Sequence, residues 1–184
     1  MKFILMSGSF HSKSRSLAIL RHSAEYFSGH TVEIPRLEEL PFYSEDLAED
    51  KPFFVNKLLS DIEESDGILF CTPEYNHSIP AVLKNAIDWV SRPAFNSALK
   101  GKPVSIITQA VSPVGRARAQ AHLKLVLDST LSKIHPCHEM MVAGVDKALD
   151  SRMVVTDDKV LLRLERHVLD FIEFAIANRC KIDA

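Results

Sequence analysis

Apolar positions along this chain recur in two different periods. Nearly continuous apolar runs at Lys2–Met6, Gly67–Cys71 and Val104–Thr108 read as strands buried on both faces of a parallel sheet. Thr31–Ile34 and a stretch near Ile134–Val142 complete five predicted strands. The segments between them follow helical spacing instead. Leu17, Leu20, Ala24 and Phe27 share one face, as do Phe54, Leu58 and Ile62. Pro80 sits like a first-turn proline, opening a helix through Val90 that Pro93 stops. Leu123, Leu127 and Leu131 mark a fourth helix, and Leu161, Leu164, Val168, Ile172 and Ala175 a fifth.

Alternating strands and helices predict a doubly wound α/β domain spanning residues 1–184. Such sheets bind ligands beyond the carboxyl ends of their strands, where the strand order reverses. That rule selects three loops: Gly8–Ser16, Thr72–Ile79 and Gln109–Arg116.

Composition narrows the partners. A net charge of -2 gives no electrostatic reason to expect nucleic acid or an anionic membrane. Cys71, Cys137 and Cys180 are scattered without a C-x-x-C spacing, which suggests free thiols in a reducing, cytoplasmic setting. The apolar run Phe3–Met6 is shorter than the roughly 7–15 residues of a signal-peptide core. No segment reaches the ~20 apolar residues of a membrane span.

The first loop, "SGSFHSKSRS", places hydroxyls and positive charge where a helix begins. Unpaired N–H groups and the helix dipole make such a junction attractive to anions. Gly8 permits a sharp turn, and Ser9, Ser12, Ser14 and Ser16 offer donors to phosphate oxygens. A single capping serine among solvated neighbours explains one hydroxyl well and four poorly. The run Gly8-x-x-x-x-Lys13-Ser14 lacks the second glycine of a P-loop, and no G-x-G-x-x-G dinucleotide motif is present. Nor does a G-x-S-x-G nucleophile elbow occur. A terminal monophosphate held by hydroxyls and backbone, without a metal, fits what remains.

The second loop reads "TPEYNHSIPAVLKNAIDWVSRP", supplying polar edges and an aromatic face of the kind a flat heterocycle requires. Residues Thr72–Trp89 closely resemble the signature of the NAD(P)H-dependent FMN reductases, a family that includes quinone, azo-dye and chromate reductases. The order of elements, including "GKPVSIITQAVSP" and "RAQAHLKLVL", extends the resemblance over most of the chain.

The resemblance implies a flavodoxin-like sheet of five parallel strands in the order 2-1-3-4-5, with helices on both faces. It implies bound FMN, with NADPH or NADH as co-substrate. By position, Ser9, His11, Ser14 and Ser16 would hold the FMN phosphate, with Arg15 added for its charge. Pro73, Glu74, Tyr75 and Asn76 would lie along the isoalloxazine, and Gln109 and Ala110 would close its other side. The family usually carries arginine where His11 stands and often asparagine at Ser16. Its third loop is often glycine-rich, whereas here Val111-Ser112-Pro113-Val114-Gly115-Arg116 is stiffer, with Arg116 able to reach a nicotinamide phosphate.

The expected activity is two-electron hydride transfer from NAD(P)H through flavin N5 to quinones or similar small acceptors, such as azo dyes and oxyanions. No side chain is expected to act as nucleophile, acid or base. The alternatives are a reductase using free FMN as substrate, and a non-catalytic electron carrier or flavin sensor. A homodimer or dimer of dimers is also implied, with support from Tyr43, Phe53, Phe54, Trp89 and Phe95.

Other features have plainer readings. "HPCH" at His135–His138 contains metal-ligand residue types, but on a strand His135 and Cys137 would share a face that His138 would not. Structural residues, with no metal, are expected there. Glu74 reads as a carboxylate fixing loop geometry, and Trp89 as core or subunit interface. Asp61, Glu63, Glu64 and Asp66 read as a solvated helix end.

Overall fold

The apolar runs form one parallel sheet in the computed structural model, which describes residues 1–112 and 116–179. The elements in chain order are β1 (Lys2–Ser7), α1 (Arg15–Ala24), β2 (Thr31–Glu33), α2 (Phe53–Glu64), β3 (Gly67–Pro73) and α3 (Ala81–Val90). They continue with β4 (Pro103–Ala110), α4 (Ala117–Ser129), β5 (Lys133–Ile134), β6 (Met140–Ala143), α5 (Val145–Ala148) and α6 (Asp158–Ala177). The order β2-β1-β3-β4-β5 is the flavodoxin-like order, with all pairs parallel.

The fifth position of the sheet differs from the single predicted strand. Two short strands share it: β5 pairs with Pro103 and Val104, and β6 with Ile107–Ala110 of the same β4. His135 N–H still donates to the Val104 carbonyl at 2.8 Å, and then the ladder stops. Pro136 follows without an N–H to continue it. Residues 135–139 therefore form a loop, and the strand geometry expected for "HPCH" does not exist.

Strand alternation divides the core into two layers. Phe3, Leu5, Leu69, Cys71 and Ile107 face α1 and α6, where Ile19, Leu164, Val168 and Phe171 meet them. Ile4, Met6, Ile68, Phe70, Val104 and Ile106 face α2, α3 and α4, meeting Leu58, Leu83, Trp89 and Leu123. Ser105 lies on the same face as Ile107 and is buried beside His135 and His167. Trp89 is a core residue whose Nε1–H donates to the Pro41 carbonyl at 2.8 Å.

Helix boundaries follow local chemistry. Ser14 caps α1 by accepting from Leu17 N–H, and Asp157 caps α6 by accepting from Lys159 and Val160. Pro80 is the N-cap of α3 and not its first residue, a one-position difference from the sequence reading. Leu131 falls beyond α4 with φ +61. Among the described residues no helix is long and apolar enough to cross a membrane.

Candidate functional site

The sheet order reverses at β1 and β3, and the carboxyl ends of β1, β3 and β4 open there into a cavity of about 670 Å³. All three loops selected from the sequence contribute to its wall.

The first loop is held by its own serines. Ser7 Oγ donates to the Ser9 carbonyl at 2.7 Å, and Ser14 Oγ donates to the same oxygen at 3.1 Å. Gly8 N–H donates to the Cys71 carbonyl at 2.8 Å, pressing the loop against β3. A Cβ on Gly8 would lie 2.7 Å from Thr72 Cβ and 3.1 Å from its Cα, so only glycine fits this approach. The result places Ser9, His11, Lys13, Ser14 and Arg15 on the cavity wall at the α1 N-terminus. His11 Nδ1 accepts from Lys13 N–H at 3.0 Å, which leaves Nε2 as the ring's proton-bearing nitrogen when neutral.

Ser16 takes a different place. Its side chain is fully buried beneath the cavity floor, where Oγ accepts from Gln109 Nε2 at 3.1 Å. It also meets Cys71, whose thiol burial pushes up to about 12. Ser16 thus orients Gln109, which itself lines the cavity with Ala110.

The second loop contributes Pro73, Glu74, Tyr75, Asn76 and His77. Tyr75 and Ser78 exchange two backbone hydrogen bonds of 2.9 Å around Asn76 and His77. Both central residues have positive φ, at 49° and 64°, as a two-residue type I′ turn demands. Ser78 Oγ and His122 Nδ1, 2.7 Å apart, tie the turn to α4.

Glu74 completes that tie. Its Oε2 accepts from Arg118 N–H and Ala119 N–H, each at 3.1 Å, while Oε1 lies 3.7 Å from the Arg118 guanidinium. Helix α4 has no side-chain cap of its own, so Glu74 serves as a cap from outside the helix. Glu74→Ala is expected to cost about 1–2 kcal/mol by uncovering two amides and a helix terminus. Glu74→Gln, which keeps an acceptor, should cost less than half of that. Thermal melting of the two variants checks the ranking.

The cavity wall carries three cations, Lys13, Arg15 and Arg118, against one carboxylate that is already engaged. It therefore favours an anion despite the negative net charge of the chain. Arg118 is the residue the sequence reading missed. Its position three residues into the "RARAQ" stretch gave no signal separate from Arg116. Arg116 itself does not line the cavity; its NH1 group donates to the Ser112 carbonyl at 3.5 Å. Pro113 and Val114, expected to stiffen the third loop, lie with Gly115 outside the described residues.

Comparison with known proteins places this geometry in a family context. The family model described as NADPH-dependent FMN reductase matches residues 1–146. An NAD(P)H-dependent FMN reductase of Pseudomonas aeruginosa is 36% identical over 162 residues, covering 86% of this chain and 86% of the relative. A quinone reductase of Pseudomonas putida is 38% identical over 176 residues, covering 94% of this chain and 93% of its own. The solved structure of FerB, a flavoenzyme NAD(P)H:(acceptor) oxidoreductase from Paracoccus denitrificans, superposes with a TM-score of 0.85 at 31% identity, covering 96% of this chain and 98% of that one.

Proposed function

The chain belongs to the NADPH-dependent FMN reductase family, whose members are oxidoreductases working with FMN and NAD(P)H, and on that premise we propose that it passes two electrons from NAD(P)H to quinones or similar small acceptors. One observation carries this reading. A single cavity joins a hydroxyl- and cation-rich helix N-terminus to an exposed turn bearing Tyr75 and Asn76.

The donor set fits FMN. Ser9 and the first-turn amides of α1 suit a terminal phosphate, with Ser14 holding the loop in place and Lys13 and Arg15 adding charge. Pro73 and the backbone of Glu74–Asn76 suit the rim of the flavin ring, with Gln109 and Ala110 opposite. When bound, FMN supplies the group that accepts hydride at N5 and hands two electrons to the acceptor. The protein's part is orientation and electrostatics. Ser16 holds Gln109, and Glu74 holds the second loop, so both walls are anchored before ligand arrives. Arg118 in the first turn of α4 brings positive charge to the rim, which favours a dinucleotide with an additional phosphate, NADPH. Tyr75, 55% exposed at the mouth, leaves the ring side accessible to planar acceptors, azo dyes and oxyanions included.

Phe42, Phe53 and Phe95 are 83%, 73% and 76% exposed, and pairing of two copies through such rings would cover them. A homodimer is the assembly proposed, checked by light scattering. The free thiols Cys71 and Cys137 suit a reducing cytoplasm.

Anaerobic addition of NADPH to the FMN-loaded protein tests the proposal. The flavin absorption should bleach and return on addition of a quinone. Retained colour with NADPH and NADH alike would instead support an electron carrier. A protein that does not retain FMN but consumes it during turnover would make FMN a substrate.

His11→Arg should tighten FMN binding about tenfold, because a guanidinium makes two charge-assisted bonds where an imidazole makes one. Fluorescence titration measures the change.

A further inference from the structure

Away from the flavin cavity, three ligand-type side chains converge at the bottom of a second cavity, of about 880 Å³, between residues 135–140 and α6. One ligand atom from each of His135, Cys137 and His167 lies within 4.8 Å of the other two. From this arrangement we propose that the three residues form a binding site for a thiophilic divalent cation, with Zn²⁺ as its fitting occupant.

The supporting geometry starts from Ser105 on β4, buried beneath the cluster. Its Oγ lies 2.9 Å from His167 Nε2 and 3.1 Å from His135 Nδ1. A serine oxygen has two lone pairs, so it can accept an N–H from both rings at once. In that state the other nitrogen of each imidazole is unprotonated and carries a free lone pair. This is the outer partner that a metal-binding histidine needs to fix its tautomer and orientation. His167 Nδ1 then faces Cys137 Sγ across 3.9 Å. A tetrahedral zinc ion separates such atoms by about 3.6 Å, given its usual bond lengths. The widest separation must contract by about an ångström to reach tetrahedral edges. Cys137, half-buried on a loop, is the ligand with room to move.

Protonation suits the role. Both rings are neutral in the state in which Ser105 accepts from them, so each has a lone pair to give. A free thiol such as Cys137 must lose its proton to bind, so binding forms a zinc–sulfur bond and releases that proton to solvent. No electron moves. Asp170 and Glu173 balance Arg163 and Arg166 around the cavity, while Glu139 is tied to Lys124 at 2.6 Å. The thiolate created on binding is therefore the charge that holds the dication. Bound there, zinc would clamp the loop between β5 and β6 onto α6, where the sheet ladder is interrupted.

This site does not depend on the flavin reading, and its test does not use activity. The full-length, FMN-loaded protein is titrated anaerobically with Co²⁺, a coloured probe for tetrahedral zinc sites. Its ligand-field bands fall in the red, where oxidised flavin is transparent. One Co²⁺ per chain is expected, with release of one proton and complete bleaching by Zn²⁺. Zn²⁺ should also raise the melting temperature of the wild-type protein. Cys137→Ser, which melts normally without metal, should lose both responses, and Cys180→Ser should keep them. Absence of red bands in the wild-type protein would overturn the proposal. So would bands, or a zinc-dependent melting shift, that survive in Cys137→Ser.

Discussion

Ser9→Asp is expected to weaken FMN binding about 30-fold while leaving the melting temperature of the FMN-free protein nearly unchanged. The Ser9 side chain faces the cavity beside Ser14 and Arg15, so the new carboxylate would stand against the phosphate. Two such charges about 4 Å apart repel by about 4 kcal/mol at an effective dielectric of 20. Solvent and the neighbouring cations screen roughly half of that, and about 1.4 kcal/mol corresponds to tenfold in affinity. The fold should tolerate the change because Ser9 holds the loop through its carbonyl, which accepts from Ser7 and Ser14, and not through its hydroxyl. Fluorescence titration with FMN and a melting curve separate the two effects. Unchanged affinity would remove this loop as the phosphate site.

Gly8→Ala should act on both fold and site. The added methyl would press on Thr72, side chain and backbone alike, and both residues are fully enclosed. Overpacking of this kind costs about 2 kcal/mol. For a chain of this size that lowers the melting temperature by about 4–8 °C. Shifting the loop from β3 would also misplace Ser9 and Ser14, so FMN affinity should fall with stability. Adding Thr72→Ala to the variant should restore part of the loss, since it removes Oγ1 and Cγ2 but leaves the β3 backbone where it is. A double-mutant cycle by thermal melting measures that coupling. Equal stability of Gly8→Ala and the wild-type protein would mean that the loop does not need its close approach to β3.

Much of the candidate site is local in origin and so is legible in the sequence. Hydroxyls at a strand–helix junction and the run Thr72–Asn76 are contiguous, and a parallel sheet brings such strand ends together by topology alone. Individual orientations were less legible. The resemblance groups Ser16 with Ser9 and Ser14; it is the second residue of α1, and the helical turn points it inward to Gln109. Arg118 enters the cavity because Glu74 caps α4 from across the loop. No spacing rule encodes that contact.

The fifth strand and the histidine cluster show the same division more sharply. Hydrophobic periodicity, which each segment carries alone, was enough to locate the sheet's apolar runs, their order of burial and the loops at their ends. The break of the ladder at Pro136 and the approach of His167 to His135 and Cys137 came from tertiary packing. His167 stands 30 residues from Cys137, and its neighbours are set by how α6 packs across β4, above Ser105. Periodicity reports which face of an element is buried. Which residues meet across that buried face depends on the register and crossing of elements distant in the chain.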